Sequence, residues 1–164
     1  MFAIQIKERG PTPRKLLKAH NAASKTSYRD TAKYFHEHLT PKRFTYQHGR
    51  EANYTKRKGD NEPYGSKAYW QSYMGRKKKQ KGHRDPFVWS GKSKAQARRV
   101  VVSSTSRGAR LTYRIQAFTW HNELKPEFVK ILESELIKLG RIYDAMYNKN
   151  FKDEKRKARS AAKG

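Results

Sequence analysis

Apolar positions along this chain follow two periods, and each predicts a different kind of element. Phe2, Ile4 and Ile6 alternate with Ala3, Gln5 and Lys7, the two-residue period of a half-buried strand or extended arm, which Gly10, Pro11 and Pro13 end. From Arg14 the chain reads as helical. Tyr28, Ala32, Phe35 and Leu39 fall at i, i+4, i+7 and i+11 and so share one helix face. Pro41 closes that helix, because the residue before a proline is pushed out of helical geometry. Its start stays open between Pro13 and a point after Ser27, since Asn21, Ser24, Thr26 and Ser27 form a polar stretch in between.

No period is sustained over residues 42–84, which predicts a long basic loop. Loops of that length inside compact domains are uncommon and serve a function or are ordered by partners. Its rings, Tyr46, Tyr54, Tyr64, Tyr69, Trp70 and Tyr73, argue against simple disorder. After the Asp85-Pro86 turn and a short strand at Phe87, Val88 and Trp89, two β-rich runs, Arg99–Thr105 and Ala109–Phe118, flank Ser106-Arg107-Gly108 and predict a hairpin. Pro126 suits the first position of a last helix, on which Phe128, Leu132, Glu135/Leu136, Leu139, Tyr143 and Met146 form a stripe widened by Ile131 and Ile142. From Lys149 a charged tail follows that is expected to be disordered.

The expected architecture is α+β: a long N-terminal helix and a C-terminal helix packed on a small antiparallel sheet, with a long basic loop and a basic tail. An arm covers residues 1–13, a single domain residues 14–148 with its loop at 42–84, and the tail residues 149–164. The expected core is Tyr28, Phe35 and Leu39 on the first helix, Val100, Val102, Leu111, Tyr113 and Ile115 on the hairpin, and Phe128, Leu132, Leu139 and Met146 on the last helix.

Charge changes the picture most. The 164 residues carry 39 Lys and Arg against 14 Asp and Glu, a formal net charge of +25, and the mean hydropathy is −1.13. A lone compact monomer with that charge would repel itself, so a polyanion or an acidic partner is expected, nucleic acid being the commonest. There is no cysteine, which excludes disulfides and thiolate zinc sites. The alternation at the N-terminus is not a continuous apolar run, so neither a secretory signal nor a membrane span is expected.

Signs of catalysis are weak. Ser90-Gly91-Lys92-Ser93 looks like the end of a phosphate-binding loop, but Pro86 stands where that motif needs its first glycine, so the segment reads as a turn. His36 and His38 are two residues apart and point away from each other on a helix, whereas helical zinc pairs need i, i+4 spacing. His20, His48, His83 and His121 have no neighbouring carboxylate cluster, and Asp30, Glu37, Glu127, Glu133, Glu135 and Asp144 are expected on helix surfaces. No catalytic residue, metal site or cofactor is assigned, and the chain is read as a structural protein rather than an enzyme.

Basic residues interleaved with aromatic ones carry the strongest functional signal, since Lys and Arg neutralise phosphates while rings stack on bases or anchor in protein pockets. Arg76, Lys77, Lys78, Lys79, Lys81 and Arg84, with Lys155, Arg156, Lys157 and Arg159 in the tail, are the candidate nucleic-acid-facing groups. Tyr54, Tyr64, Tyr69, Trp70, Tyr73, Phe87 and Trp89 are the candidate subunit-interface groups, the segment from 45 to 84 being expected to order against a neighbouring subunit.

Leu39-Thr40-Pro41-Lys42-Arg43-Phe44 after a first helix, Tyr54-Thr55-Lys56-Arg57-Lys58, the run Gly82-His83-Arg84-Asp85-Pro86-Phe87-Val88-Trp89-Ser90-Gly91, then Arg110-Leu111-Thr112-Tyr113-Arg114 and a closing helix occur in an order that resembles the phage virion-morphogenesis and tail-completion (neck) proteins. The long run is similar to that family's DPL-V-x-TG turn. The resemblance implies an α+β fold and a homo-oligomeric ring, six- or twelve-fold, around the channel through which DNA passes. It also implies a place in the virion, assembled in the host cytoplasm, with other neck, portal or tail proteins as partners and packaged DNA touched non-specifically, away from any membrane. A ribosomal or other RNA-binding structural protein is the alternative that composition favours, although no glycine-rich clamp or RNP-like aromatic strand is present.

Overall fold

The computed structural model describes residues 11–56, 61–121 and 123–160, so the expected strand at residues 2–7 lies outside the described residues. The fold is α+β, with a long N-terminal helix, a C-terminal helix and one two-stranded antiparallel sheet. The chain divides into two compact units. One contains described residues 11–33, 102–110 and 138–160, and the other residues 34–101 and 111–137.

In the first unit, α1 (Pro13–Tyr34) begins at Pro13. Pro13 takes the first helical position, where its missing N–H costs nothing, and the Thr12 hydroxyl accepts the Lys15 N–H at 3.4 Å. The polar stretch that left the start open in sequence lies inside the helix and is its packing face: Ala19, Ala23, Ser24 and Ser27 are buried. Ser27 Oγ donates to the Ala23 carbonyl at 2.8 Å and accepts from Asn150 Nδ2 at 3.0 Å, so its buried hydroxyl is fully satisfied.

Asn150 belongs to α8 (Glu133–Ser160), which packs against α1 in this unit. Tyr28 packs on Tyr143 with centroids 4.5 Å apart, and His20 Nδ1 meets the Tyr147 hydroxyl at 2.7 Å. Tyr143, Tyr147 and Phe151 stack along one face at i, i+4 and i+8, with centroids 6.1 and 5.6 Å apart. The tail expected to be disordered is helical from Lys149 to Ser160, while residues 161–164 lie outside the described residues. Its Lys, Arg, Glu and Ala are strong helix formers, Glu154 pairs with Lys157 one turn on, and Lys157 and Arg159 face the negative end of the helix dipole.

In the second unit the chain stays helical through Pro41 by changing pitch. Residues Phe35–Leu39 form a wide turn, closed by the Thr40 N–H bonding to the Phe35 carbonyl, and Thr40–Phe44 tighten into a 3-10 turn. The change of register turns Leu39, Thr40, Arg43 and Phe44 inward.

The segment expected as one long loop instead contains α2 (Tyr46–Glu51), α3 (Lys67–Gln71) and α4 (Tyr73–Lys81), each too short to show a period in sequence. Side chains of Thr45, Ser66 and Ser72 cap their first turns by accepting the N–H groups of His48, Tyr69 and Gly75. Phe87–Trp89 form no strand. The following basic link is helix α5 (Lys92–Ala97), started by Gly91 in the left-handed region at φ +80°.

The hairpin forms as expected, with β1 at Val100–Thr105 and β2 at Gly108–Tyr113. Its second strand stops five residues short of Phe118, residues 114–116 leave the sheet, and α6 (Ala117–Trp120) follows. The last helix also divides. Pro126 sits inside α7 (Leu124–Val129), the backbone extends at Lys130, and α8 starts afresh at Glu133. Phe44, Ala97, Ile115 and Phe128 form the buried cluster, with Phe87, Val88, Tyr113, Ala117 and Phe118 packed around it. Of the expected core, Leu39, Ile115 and Phe128 are buried, whereas Tyr28, Phe35, Val100, Val102, Leu111, Tyr113, Leu132, Leu139 and Met146 are half-buried.

Candidate nucleic-acid interface

The second unit is organised around a buried charge pair. Arg43 donates from both terminal nitrogens to the two carboxylate oxygens of Glu135, each at 2.7 Å. It also donates to the Leu39 carbonyl at 2.9 Å and the Lys130 carbonyl at 3.1 Å, and lies 4.5 Å over the Phe35 ring. Glu135 in turn accepts the Leu132 N–H at 3.2 Å, so the same carboxylate starts α8. Burial pushes its carboxyl up, but the hydrogen bonds from Arg43 and Leu132 and the nearby positive charge outweigh that and hold it below the usual carboxylate value. The expectation of Glu135 on a helix surface is therefore corrected: it is 7% exposed, because its arginine partner already lies inside.

Elsewhere in this unit α3 and α4 pack closely on each other. Gly75 makes the close approach possible, since a Cβ there would stand 2.0 Å from the Tyr69 carbonyl oxygen. Lys77, two residues on, is 1% exposed, and its ammonium donates to the Asp85 carbonyl. The carboxylate of Asp85 accepts the Tyr46 N–H at 3.2 Å. Arg84 donates to the Tyr46 hydroxyl at 3.1 Å and lies 4.7 Å over its ring. These bonds fasten the Asp85-Pro86-Phe87 turn. Phe87 adopts φ +55°, a strained conformation for a bulky residue, and its ring is held against Phe44, Tyr54, Phe118 and Phe128.

Between α2, α4 and this turn opens a cavity of about 350 Å³. Arg50, Lys56, Lys77 and Arg84 line it with Tyr46, Tyr54, Tyr73 and Phe87, and Glu127 is its one acidic lining residue among the described residues. Glu127 accepts the Thr55 N–H at 3.0 Å. Burial raises the Tyr54 phenol to about 12, so it remains protonated.

The candidate groups from sequence divide on this geometry. Arg76, Lys79 and Lys81 are exposed on α4, and Lys78 is half-buried with its ammonium on the Gly82 carbonyl at 2.8 Å. Lys77 cannot face a polyanion from where it lies, because burial and its bond to Asp85 tie it into the fold. In the first unit, Arg156, Lys157 and Arg159 are exposed and Lys155 is half-buried. Lys157 pairs with Glu154 at 2.6 Å, and that hydrogen bond raises its pKa.

Among the aromatic candidates, Tyr64, Trp70, Tyr73 and Trp89 are exposed, with Tyr73 stacked on Trp89 at 5.6 Å. Tyr69 is 2% exposed and packs on Tyr64 and Trp70, so it supports its own helix instead of anchoring a neighbour. Tyr54 and Phe87 are half-buried cavity and core rings. Sequence reasoning missed Arg50 and Lys56 as lining residues and the pairing of Tyr46 with Arg84, since the cavity joins segments almost forty positions apart. No family model, curated protein or solved structure matches the chain.

Proposed function

We propose that this chain is a non-enzymatic structural subunit of a phage neck, built in several copies into a ring through which DNA passes, in the company of other neck, portal or tail proteins. One observation carries the reading. Val129, Ile131, Leu136 and Ile137 are 52, 47, 62 and 53% exposed in a chain whose mean hydropathy is −1.13. Four large apolar side chains exposed within nine consecutive positions suit a surface that a neighbouring subunit covers. The α+β arrangement with a long first helix, a hairpin and a closing helix is consistent with the fold that the neck-protein resemblance implies. The charge of +25 supplies the complement to DNA, and exposed Arg and Lys groups without a base-reading element suit non-specific contact.

Native mass spectrometry, with and without duplex DNA, tests the assembly. Wild-type chain forms a closed homo-oligomer, and the double substitution Leu136→Glu with Ile137→Glu leaves a folded monomer with unchanged circular dichroism. A wild-type chain that stays monomeric in both conditions overturns the reading.

A further inference from the structure

We infer that the cavity between α2, α4 and the Asp85-Pro86-Phe87 turn is a binding site for one unpaired nucleotide unit, a phosphate with its base, either free or within a single strand. The inference goes beyond the neck assignment and does not depend on it. A volume of about 350 Å³ lies within the range of sites for small ligands, roughly 300–1,000 Å³. It is too confined for a base pair held in a duplex.

The lining has the two chemistries a nucleotide needs. With Lys77 tied into the fold, Arg50, Lys56 and Arg84 remain against Glu127 among the described lining residues, and Arg50 and Lys56 are exposed at the site, which suits a phosphate. Tyr46 adds a ring that is 37% exposed, and Tyr54 and Phe87 add rings behind it, which suits the planar face of a base. Arg84, placed by its bond to the Tyr46 hydroxyl and its stacking on that ring, joins the two halves. An acidic protein segment would use the cations but leave the aromatic wall without a planar partner, so the nucleotide is favoured.

The test measures binding of dAMP and of a fluorescent (dT)10 strand to the full chain at moderate salt, with a duplex and a poly-glutamate peptide as competitors. Three variants change only exposed side chains: Tyr46→Ala, the pair Arg50→Gln with Lys56→Gln, and, as a control of equal charge change on α4 outside the cavity lining, the pair Lys79→Gln with Lys81→Gln. Tyr46→Ala weakens binding roughly tenfold, as removal of one stacking platform does. The cavity pair weakens it at least several-fold more than the control pair. Binding of both dAMP and (dT)10 supports a site for the unit itself, and binding of (dT)10 alone places that unit within a strand. Equal weakening by the cavity pair and the control pair, displacement by poly-glutamate as effective as by (dT)10, tighter binding of duplex than of single strand, or binding of neither probe overturns the inference.

Discussion

Arg43 and Glu135 are 92 positions apart in sequence and meet through two parallel hydrogen bonds of 2.7 Å in the interior of the second unit, with the arginine side chain fully buried. The pair ties the end of the first helical segment to the start of α8. Two charges removed from water repay their desolvation only with close geometry and additional hydrogen bonds, which the terminal nitrogens of Arg43 have and its buried Nε lacks, and removing one partner strands the other. Glu135→Leu should therefore destabilise the chain by about 3–5 kcal/mol. Adding Arg43→Met should recover much of that deficit. Urea unfolding of the two single variants and the double variant reads out the coupling, and additive effects would show that the pair does not act as a unit.

Acid should weaken the same region in two stages. His48 is held below the ordinary imidazole value of 6.5, first by burial and then by the Arg43 charge. Its folded pKa lies below its unfolded one, so its contribution is complete above 6.5 and is lost as pH falls through the folded value. Glu135 is likewise held below its ordinary 4.5, and its contribution is complete above that value and lost as pH falls through its lower folded value. Urea midpoints followed from neutral to acid pH should decline in both windows. His48→Gln should remove the first decline and leave the second.

The turn between α3 and α4 admits no side chain. A Cβ at Gly75 would collide with backbone atoms of Tyr69 and Trp70, so the helices themselves have to move apart. Gly75→Ala should lower stability by about 1–3 kcal/mol. Ile115→Ala, which empties part of the buried cluster, should lower it by about 2–5 kcal/mol. Thermal unfolding checks both, and a Gly75→Ala chain as stable as wild type would contradict the close packing.

Much of the scaffold was legible in the sequence because it follows regular periods. The apolar stripe ending at Leu39, the hairpin around Arg107 and the stripe through Leu139 and Tyr143 all mark elements that form. What was hidden depends on tertiary neighbours that a local pattern does not carry. Helices α2, α3 and α4 have nine residues or fewer, and serine or threonine caps start them in what reads locally as a basic loop. The polar face of α1 was misleading, because Ser27 satisfies its hydroxyl within the helix pair. The cavity was invisible for a related reason: Tyr46 and Arg84 become neighbours only once Lys77 pins the Asp85 turn.

The lysine run on α4 should behave as two classes of residue. Lys77→Gln removes a buried donor to the Asp85 carbonyl and should cost about 1–3 kcal/mol of stability. Lys79→Gln and Lys81→Gln should leave stability unchanged, since exposed charges contribute little to it. On duplex DNA the latter two should flatten the dependence of log affinity on log salt by about one unit for each phosphate that is no longer neutralised. Fluorescence anisotropy across a salt series, paired with thermal unfolding, separates the classes. An unchanged salt slope would exclude α4 from the DNA-facing surface.

The proposal that this chain works as a repeated structural subunit is tested most directly by electron cryomicroscopy of the isolated particle that contains it. The expected density is a symmetric ring of copies around a DNA channel, with Leu136 and Ile137 covered where neighbouring copies meet. A single copy lodged among RNA helices would contradict it.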